Sequence, residues 1–313
     1  MRLFDLHCDT LTSCCDEAAS LCLNDRHIDL KRGRQYRPWC QVFAVFIPDT
    51  MRGASAFRYA RRVLDYAHGQ EKRYPQQLSI VTDGESLRSA AASDRCAALL
   101  GVESGAALGG KLGNLLRLAE MGVRVVTLTW NGSNELGHGC MSSGGGLTPF
   151  GRRAVREMWR LKMVPDVSHL NEQGFWDVAT LGEHPFIASH SLSRAVCEHP
   201  RNLSDAQFKE VRRRHGLVGL GFDGTQLGEP NFEAVHRHLL HYLELDGEQT
   251  VALGGDLDGT QLPEEWDGIA VYEALFEYLS QKGMAAALLE RLFFQNAFDF
   301  FCDALQDAKN EVQ

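Results

Sequence analysis

The chain has 313 residues, 44% of them hydrophobic, and a formal net charge of −9. Such a length and apolar share suffice for a large core, and the acidic balance argues against nucleic acid or an anionic membrane as partner, since both reward a basic face. The nine cysteines are odd in number and include no CxxC pair, so they read as reduced thiols and not as a disulfide framework or a zinc knot.

The first element is the apolar run Leu3 to Leu6, with His7-Cys8-Asp9 at its end. In an extended strand residues i and i+2 share a face, so His7 and Asp9 converge while Cys8 turns away. Because the chain enters this strand at once, and no apolar run reaches the length of a membrane span, the expected compartment is the cytoplasm. Seven further short runs follow: Val42 to Ile47, Ala97 to Val102, Val123 to Thr129, Met163 to Val167, Phe186 to Ala188, Leu217 to Gly221 and Val251 to Gly254. Helical periodicity separates them, as in Leu115, Leu118 and Met121, or Val155, Met158 and Trp159. Alternating strands and helices are the signature of βα units around a parallel sheet, and eight of them predict an α/β fold of the (β/α)8 TIM-type barrel.

The connections add detail. Met51 to Arg95 is expected to hold one helix and then a polar stretch. Asn131 to Phe150 reads as a loop whose Gly144-Gly145-Gly146 run suits a lid over a site, because no GK[ST] follows it. Ser204-Asp205-Ala206-Gln207 is a capping box, with Gly216 placed to close the same helix. His236, His238 and His241 fall within a helical pattern and are expected on a solvated face. From Glu290 the chain is amphipathic and phenylalanine-rich, and should pack across the barrel. No composition break divides residues 1–313, which are read as a single domain.

The carboxyl ends of the expected strands carry a non-random set of side chains. The first ends in His7 and Asp9, the third in Glu103, the fifth in His169, the sixth in His190, and the eighth in Asp256 and Asp258. Each alone has an ordinary reading, Glu103 as a turn acid and either histidine as a core residue; Gly254 to Gly259 imitates part of a calcium loop but lacks its other positions. In a barrel these ends share one mouth. Imidazole and carboxylate donors suit zinc or a similar divalent ion, and five ligands exceed what one catalytic zinc takes from protein, which points to two metals sharing a carboxylate. One of Asp256 and Asp258 is then placed as an acid/base.

Phe4 to Thr10, Gly101-Val102-Glu103-Ser104-Gly105, Asp166-Val167-Ser168-His169, Ser189-His190-Ser191, His199 to Leu203 and Gly255 to Gly259 together resemble the membrane (renal) dipeptidase family, the M19 peptidases, in the right order. The resemblance implies a binuclear zinc barrel in which His7 and Asp9 bind one ion, His169 and His190 the other, and Glu103 bridges them. It also implies that Arg201 holds the substrate carboxylate and that Asp256 is the acid/base. Mammalian-type members carry a histidine after the Leu-Thr of the fourth strand; here Leu128-Thr129 is followed by Trp130-Asn131, as in bacterial-type members, and both residues are expected to bind substrate. The implied activity is hydrolysis of small dipeptides, with a D-residue at the C-terminal position within its scope and a homodimer as the candidate assembly. The rivals are another amidohydrolase activity on the same barrel, such as removing an acyl group from an amino acid, and an inactive barrel acting as a binding protein.

Overall fold

The computed structural model describes residues 1–306. Eight strands, β1 (Leu3–Cys8), β2 (Trp39–Phe46), β3 (Leu78–Ile80), β4 (Cys96–Glu103), β5 (Val123–Thr127), β6 (Val164–Asp166), β7 (Val218–Leu220) and β8 (Val251–Leu253), form one sheet. All their pairings are parallel, in the order β6-β5-β4-β2-β1-β8-β7, with β3 attached to β4 alone. Single bridges from Asp166 to Ile187 and from Ala188 to Val218 connect the two edge strands. The result is an α/β fold with a curled parallel sheet, consistent with a TIM-type barrel.

Two strand assignments differ from expectation. Phe186 to Ala188 makes only these single bridges, because Pro185 offers no N–H and the next two amides leave the ladder. Ser189 N–H donates to Asp166 Oδ1 at 2.9 Å and His190 N–H to Ser168 Oγ at 3.1 Å. The polar stretch before Arg95 hides β3, whose three residues give too short an alternation to register. It pairs with Cys96 to Ala98 on the side of β4 that β5 takes over from Leu100 onward.

The strands bury both faces, as parallel sheets do. Leu3, Phe43, Val45, Ala98 and Leu100 belong to a large core with Ala56, Ala60, Val63 and Leu64 of the helix Gly53–Arg73. Phe4, Leu6, Val42, Ala97, Leu99 and Ala252 point the other way, toward Phe294, Phe301 and Leu305. The carboxy-terminal phenylalanines therefore cross the sheet as their spacing predicts. Phe301 stacks on Phe4 with ring centroids 5.4 Å apart, and Asn296 Nδ2 donates to the carbonyls of Glu248 and Val251 at 2.8 Å.

The capping box at Ser204 and Gln207 is present, but His215 (φ 54°) and not Gly216 takes the left-handed conformation after that helix; Gly216 is needed because a Cβ there would strike the Phe186 carbonyl. His238 departs from the solvated-face expectation. It is fully buried, and Ser193 N–H donates to its Nδ1 at 3.0 Å; His241 instead pairs with Asp205 at 2.8 Å. The glycine run after Ser143 is fastened by Asn171 Nδ2 to the Gly145 carbonyl (2.9 Å) and by Leu147 N–H to Asp177 (2.8 Å). All nine cysteines are free, and among the described residues no helix is long and apolar enough to cross a membrane.

Candidate metal centre

The carboxyl ends of the strands surround a cavity of about 510 Å3 lined by Asp9, Phe46, Glu103, Trp130, Asn131, Met141, His169, His199, Arg201, Asp223, Gln226 and Asp256, among others. β1 delivers the first donors through an irregularity. Phe4 and Leu6 face inward, so strict alternation would bring Cys8 in next, but the pairing with β2 shifts register between Asp5 and Cys8. The shift turns His7 inward and leaves Cys8 with the outer core. Asp9 is no longer extended; it is the residue before the helix Thr10–Asp16, and still brings Oδ2 to 3.7 Å from His7 Nε2.

Glu103, the last residue of β4, is the hub. Its Oε1 lies 2.9 Å from His169 Nε2 and 3.8 Å from His190 Nε2, while its Oε2 lies 3.5 Å from His7 Nε2. Asp256 Oδ1 is 3.7 Å from the same His7 nitrogen. Thus one carboxylate faces two donor sets, His169 with His190 on one side and His7 with Asp9 and Asp256 on the other. Of the eight non-glycine residues with positive φ among the described residues, four stand here: Ser104, His169, Asp256 and Asp258. Such strain persists only where surrounding contacts hold it, and it clusters at functional sites.

The outer nitrogens of the histidines are already engaged. His169 Nδ1 donates to Asn131 Oδ1 at 2.8 Å. His190 Nδ1 donates to Ser189 Oγ (2.8 Å), which in turn donates to Asp166 Oδ2 (2.6 Å). Both Nε2 atoms therefore present lone pairs, and they face each other at 2.9 Å. Two lone pairs at that separation, beside a carboxylate oxygen, are matched by a cation between them. His7 Nε2 and Asp9 Oδ1 are likewise buried without a hydrogen-bond partner. Gly259 leaves room on that side, since a Cβ would collide with both the Asp9 and the Asp256 carboxylates.

The electrostatics agree. Burial, reinforced by the charge of Glu103, pushes Asp9 up to about 6. Burial together with Asp9 and Glu103 drives Asp256 far above the carboxylate range. Burial alone would lower His7, yet Glu103 and Asp9 hold it well above its usual value. Each of these shifts draws a proton, hence positive charge, toward the second donor set. His169 is held at about 4 by burial and by Arg201, and His190 is low for similar reasons, so both are neutral imidazoles near pH 7. The donor set fits divalent metal ions.

Several positioning residues lie outside the sequence-derived set. Asp166 accepts from Thr127 Oγ1 (2.6 Å), Ser168 N–H (3.0 Å) and both Ser189 donors, and so fixes His190 through Ser189. Asp5, fully buried, accepts from Gln41 Nε2 (2.5 Å) and Gly255 N–H (2.8 Å), which anchors the loop that carries Asp256. Asp258 also lines the cavity, but its carboxylate is engaged, accepting from Thr10 and from His27 N–H (2.7 Å). Arg201, Trp130 and Asn131 line the cavity as well. Arg201 is 7% exposed and has no ion-pair partner among the described residues; its Nη2 donates to the His190 carbonyl at 3.2 Å. Trp130 packs edge-on against Phe46 at 5.1 Å, while Asn131 spends its side-chain oxygen on His169.

Comparison with known proteins places this geometry. The family model for membrane dipeptidase (peptidase family M19) matches residues 1–313. The chain is similar to a metallopeptidase from Rhodobacter sphaeroides, solved with a phosphinate mimic of the dipeptide L-Ala-D-Ala: TM-score 0.91, 27% identity, covering 98% of this chain and 99% of that one. A second solved structure, a dipeptidase of family M19, gives TM-score 0.92 and 28% identity over 97% of this chain and 99% of its own. An uncharacterised protein from the pqqA 5′ region of Klebsiella pneumoniae is 33% identical over 66% of this chain and 84% of its own. A buried set of imidazoles and carboxylates that could hold divalent metal suits such a peptidase, and the chain belongs to the membrane dipeptidase family as a metal-dependent dipeptidase.

Proposed function

We propose that residues 1–313 form one (β/α)8 hydrolase domain that cleaves small dipeptides at a binuclear, zinc-type site at the carboxyl ends of its strands. The observation that carries the reading is Glu103, whose two oxygens face separate donor sets. His7 and Asp9 would hold one ion, His169 and His190 the other, with Glu103 between them. Bound there, the ions would supply Lewis acidity toward the scissile carbonyl and toward water.

The chain's own residues do the rest. Arg201 offers its guanidinium fork to the free carboxylate of the dipeptide, which sets the last peptide bond, and no other, within reach of the centre. Asp256, its carboxyl raised by burial and by Asp9 and Glu103, can take a proton from the attacking water and pass it to the departing amine. Trp130 and Phe46 form an apolar wall beside the reacting bond that would limit its contact with water. The L-Ala-D-Ala mimic on the Rhodobacter sphaeroides protein supports extending the substrate range to a D-residue at the C-terminal position.

The test joins metal analysis to kinetics. Metal-replete protein should carry about two divalent ions per chain. Amidating a good dipeptide should cost about 2 to 5 kcal/mol in kcat/KM, because a buried arginine loses its charged partner. A single ion per chain would reject the binuclear site. Equal kcat/KM for a dipeptide, its amide and the matching tripeptide would replace dipeptidase specificity with a broader amidohydrolase activity.

A further inference from the structure

The cavity has a second charged pole besides Arg201. Asp223 stands three residues beyond the end of β7, on a wall it shares with Thr225 and Gln226. It is partly buried, and its Oδ1 accepts from the N–H of Thr225 (2.9 Å) and of Gln226 (3.1 Å), while its Oδ2 accepts from Thr260 Oγ1 at 3.2 Å. Burial opposes its ionisation, but the Thr225 hydroxyl and these amides outweigh it and hold the carboxyl below the usual range. Asp223 is therefore an anion near pH 7, and among the described residues no arginine or lysine lies within ion-pair distance of it.

Gln226, only 6% exposed, lines the same wall, and its Oε1 is buried without a hydrogen-bond partner. An anionic acceptor next to an unpartnered neutral one suits a donor-rich cation. The position relative to Arg201 follows from its neighbour Asn202. Asn202 Nδ2 donates to the Gln226 carbonyl at 2.8 Å, and Arg201, Asp223 and Gln226 line the one cavity. Asp223 and Gln226 thus sit on the Arg201 side of the centre, the side assigned to the C-terminal residue of the dipeptide.

We infer that Asp223 and Gln226 form a subsite for an alkylammonium side chain on the C-terminal residue, so that the substrates favoured are dipeptides ending in lysine or ornithine. In that reading the α-ammonium group of the first residue would lie on the far side of the scissile bond from this wall. The inference rests on the dipeptidase reading with Arg201 on the carboxylate.

The experiment compares kcat/KM for Ala-Lys, Ala-norleucine and Lys-Ala, each with either stereoisomer at the C-terminal position, on metal-replete native protein and on Asp223→Asn. Norleucine keeps the shape of lysine and removes the charge. Asparagine still caps the turn after residue 223, so the wall should fold; if it does not, Asp223→Ser, also a capping residue, takes its place. In native protein the Ala-Lys to Ala-norleucine ratio should be about fivefold or more, shrinking as salt is raised, and it should approach one in the variant. A native ratio near one, a ratio that survives Asp223→Asn, or a preference confined to Lys-Ala would each overturn the subsite while leaving dipeptide hydrolysis in place. Failure to hydrolyse any of the dipeptides would overturn the reading of the whole site, and the subsite with it.

Discussion

At the carboxyl ends of the strands a cavity of about 510 Å3 is walled by the buried His169 and by the carboxylates of Asp9, Glu103 and Asp256. At the opposite ends a cavity twice as large, about 1030 Å3, opens between the residues that precede β6, β7 and β8 and the carboxy-terminal helix Asn296–Ala304. The larger one holds more charge, but Arg212 pairs with Asp246 at 2.9 Å and Arg213 with Glu183 and Glu210, all of them well exposed except Glu210. Solvated pairs of this kind store little energy and ask for no ligand. The smaller one buries Glu103, His169 and His190 with lone pairs opposed and leaves His7 Nε2 unpartnered. Function therefore follows the unmet chemistry of buried groups and not the volume of the hole.

Removing the hub should test that contrast most severely. In Glu103→Gln one neutral amide replaces the carboxylate shared by both donor sets, so both metal positions should weaken and kcat/KM should fall by about a thousandfold or more. Metal analysis alongside kinetics decides the matter: loss of one ion with the other retained would mean that Glu103 serves one set alone.

A smaller effect is expected when the proton carrier is changed and the donors are kept. Asp256→Asn should lower kcat by about a hundredfold with metal content near normal. Asp256 Oδ1 also lies 3.7 Å from His7 Nε2, close enough to join the second donor set. Loss of metal in this variant would move Asp256 from proton transfer to ligation, and would sharpen the count of donors at the mouth.

The difference between the two ends also explains what could be read from the sequence. His7, Glu103, His169, His190 and Asp256 stand at or just past the ends of apolar runs, where strand order brings them together without any knowledge of contacts; the register shift that turns His7 inward was not readable. Asp166, Ser189 and Asp5 were not legible, because what each does depends on partners from other strands: Asp5 meets Gly255 across 250 residues of chain. Asp223 and Gln226 follow β7 within an ordinary capping turn, and only the folded chain brings them to the cavity wall. The same physics accounts for the misread elements. Phe186 to Ala188 has a strand's composition, but the amides that follow it bind Asp166 and Ser168, and His238 is buried because its partner Ser193 lies 45 residues earlier. Side-chain capture of backbone amides is invisible to hydrophobic periodicity.

The last test acts at the other end of the sheet, where turnover should change least. Phe301 is fully buried, stacks on Phe4 and meets Phe300 edge-on at 5.1 Å. Phe301→Ala leaves a cavity between the carboxy-terminal helix and β1, which should cost about 3 to 5 kcal/mol of stability, read as a lower urea midpoint with an unchanged slope. The donors at the mouth are fixed by Asp5, Asp166, Ser189 and Asn131, none of which touches this aromatic cluster through a hydrogen bond. Turnover of the folded fraction, measured well below the unfolding transition, should therefore stay within about twofold. Phe4 and His7 nevertheless share β1, three residues apart. A fall in kcat that tracks the loss of stability would show that the register shift between Asp5 and Cys8 transmits strain from the packed end to the metal donors, and that the two ends act as one unit.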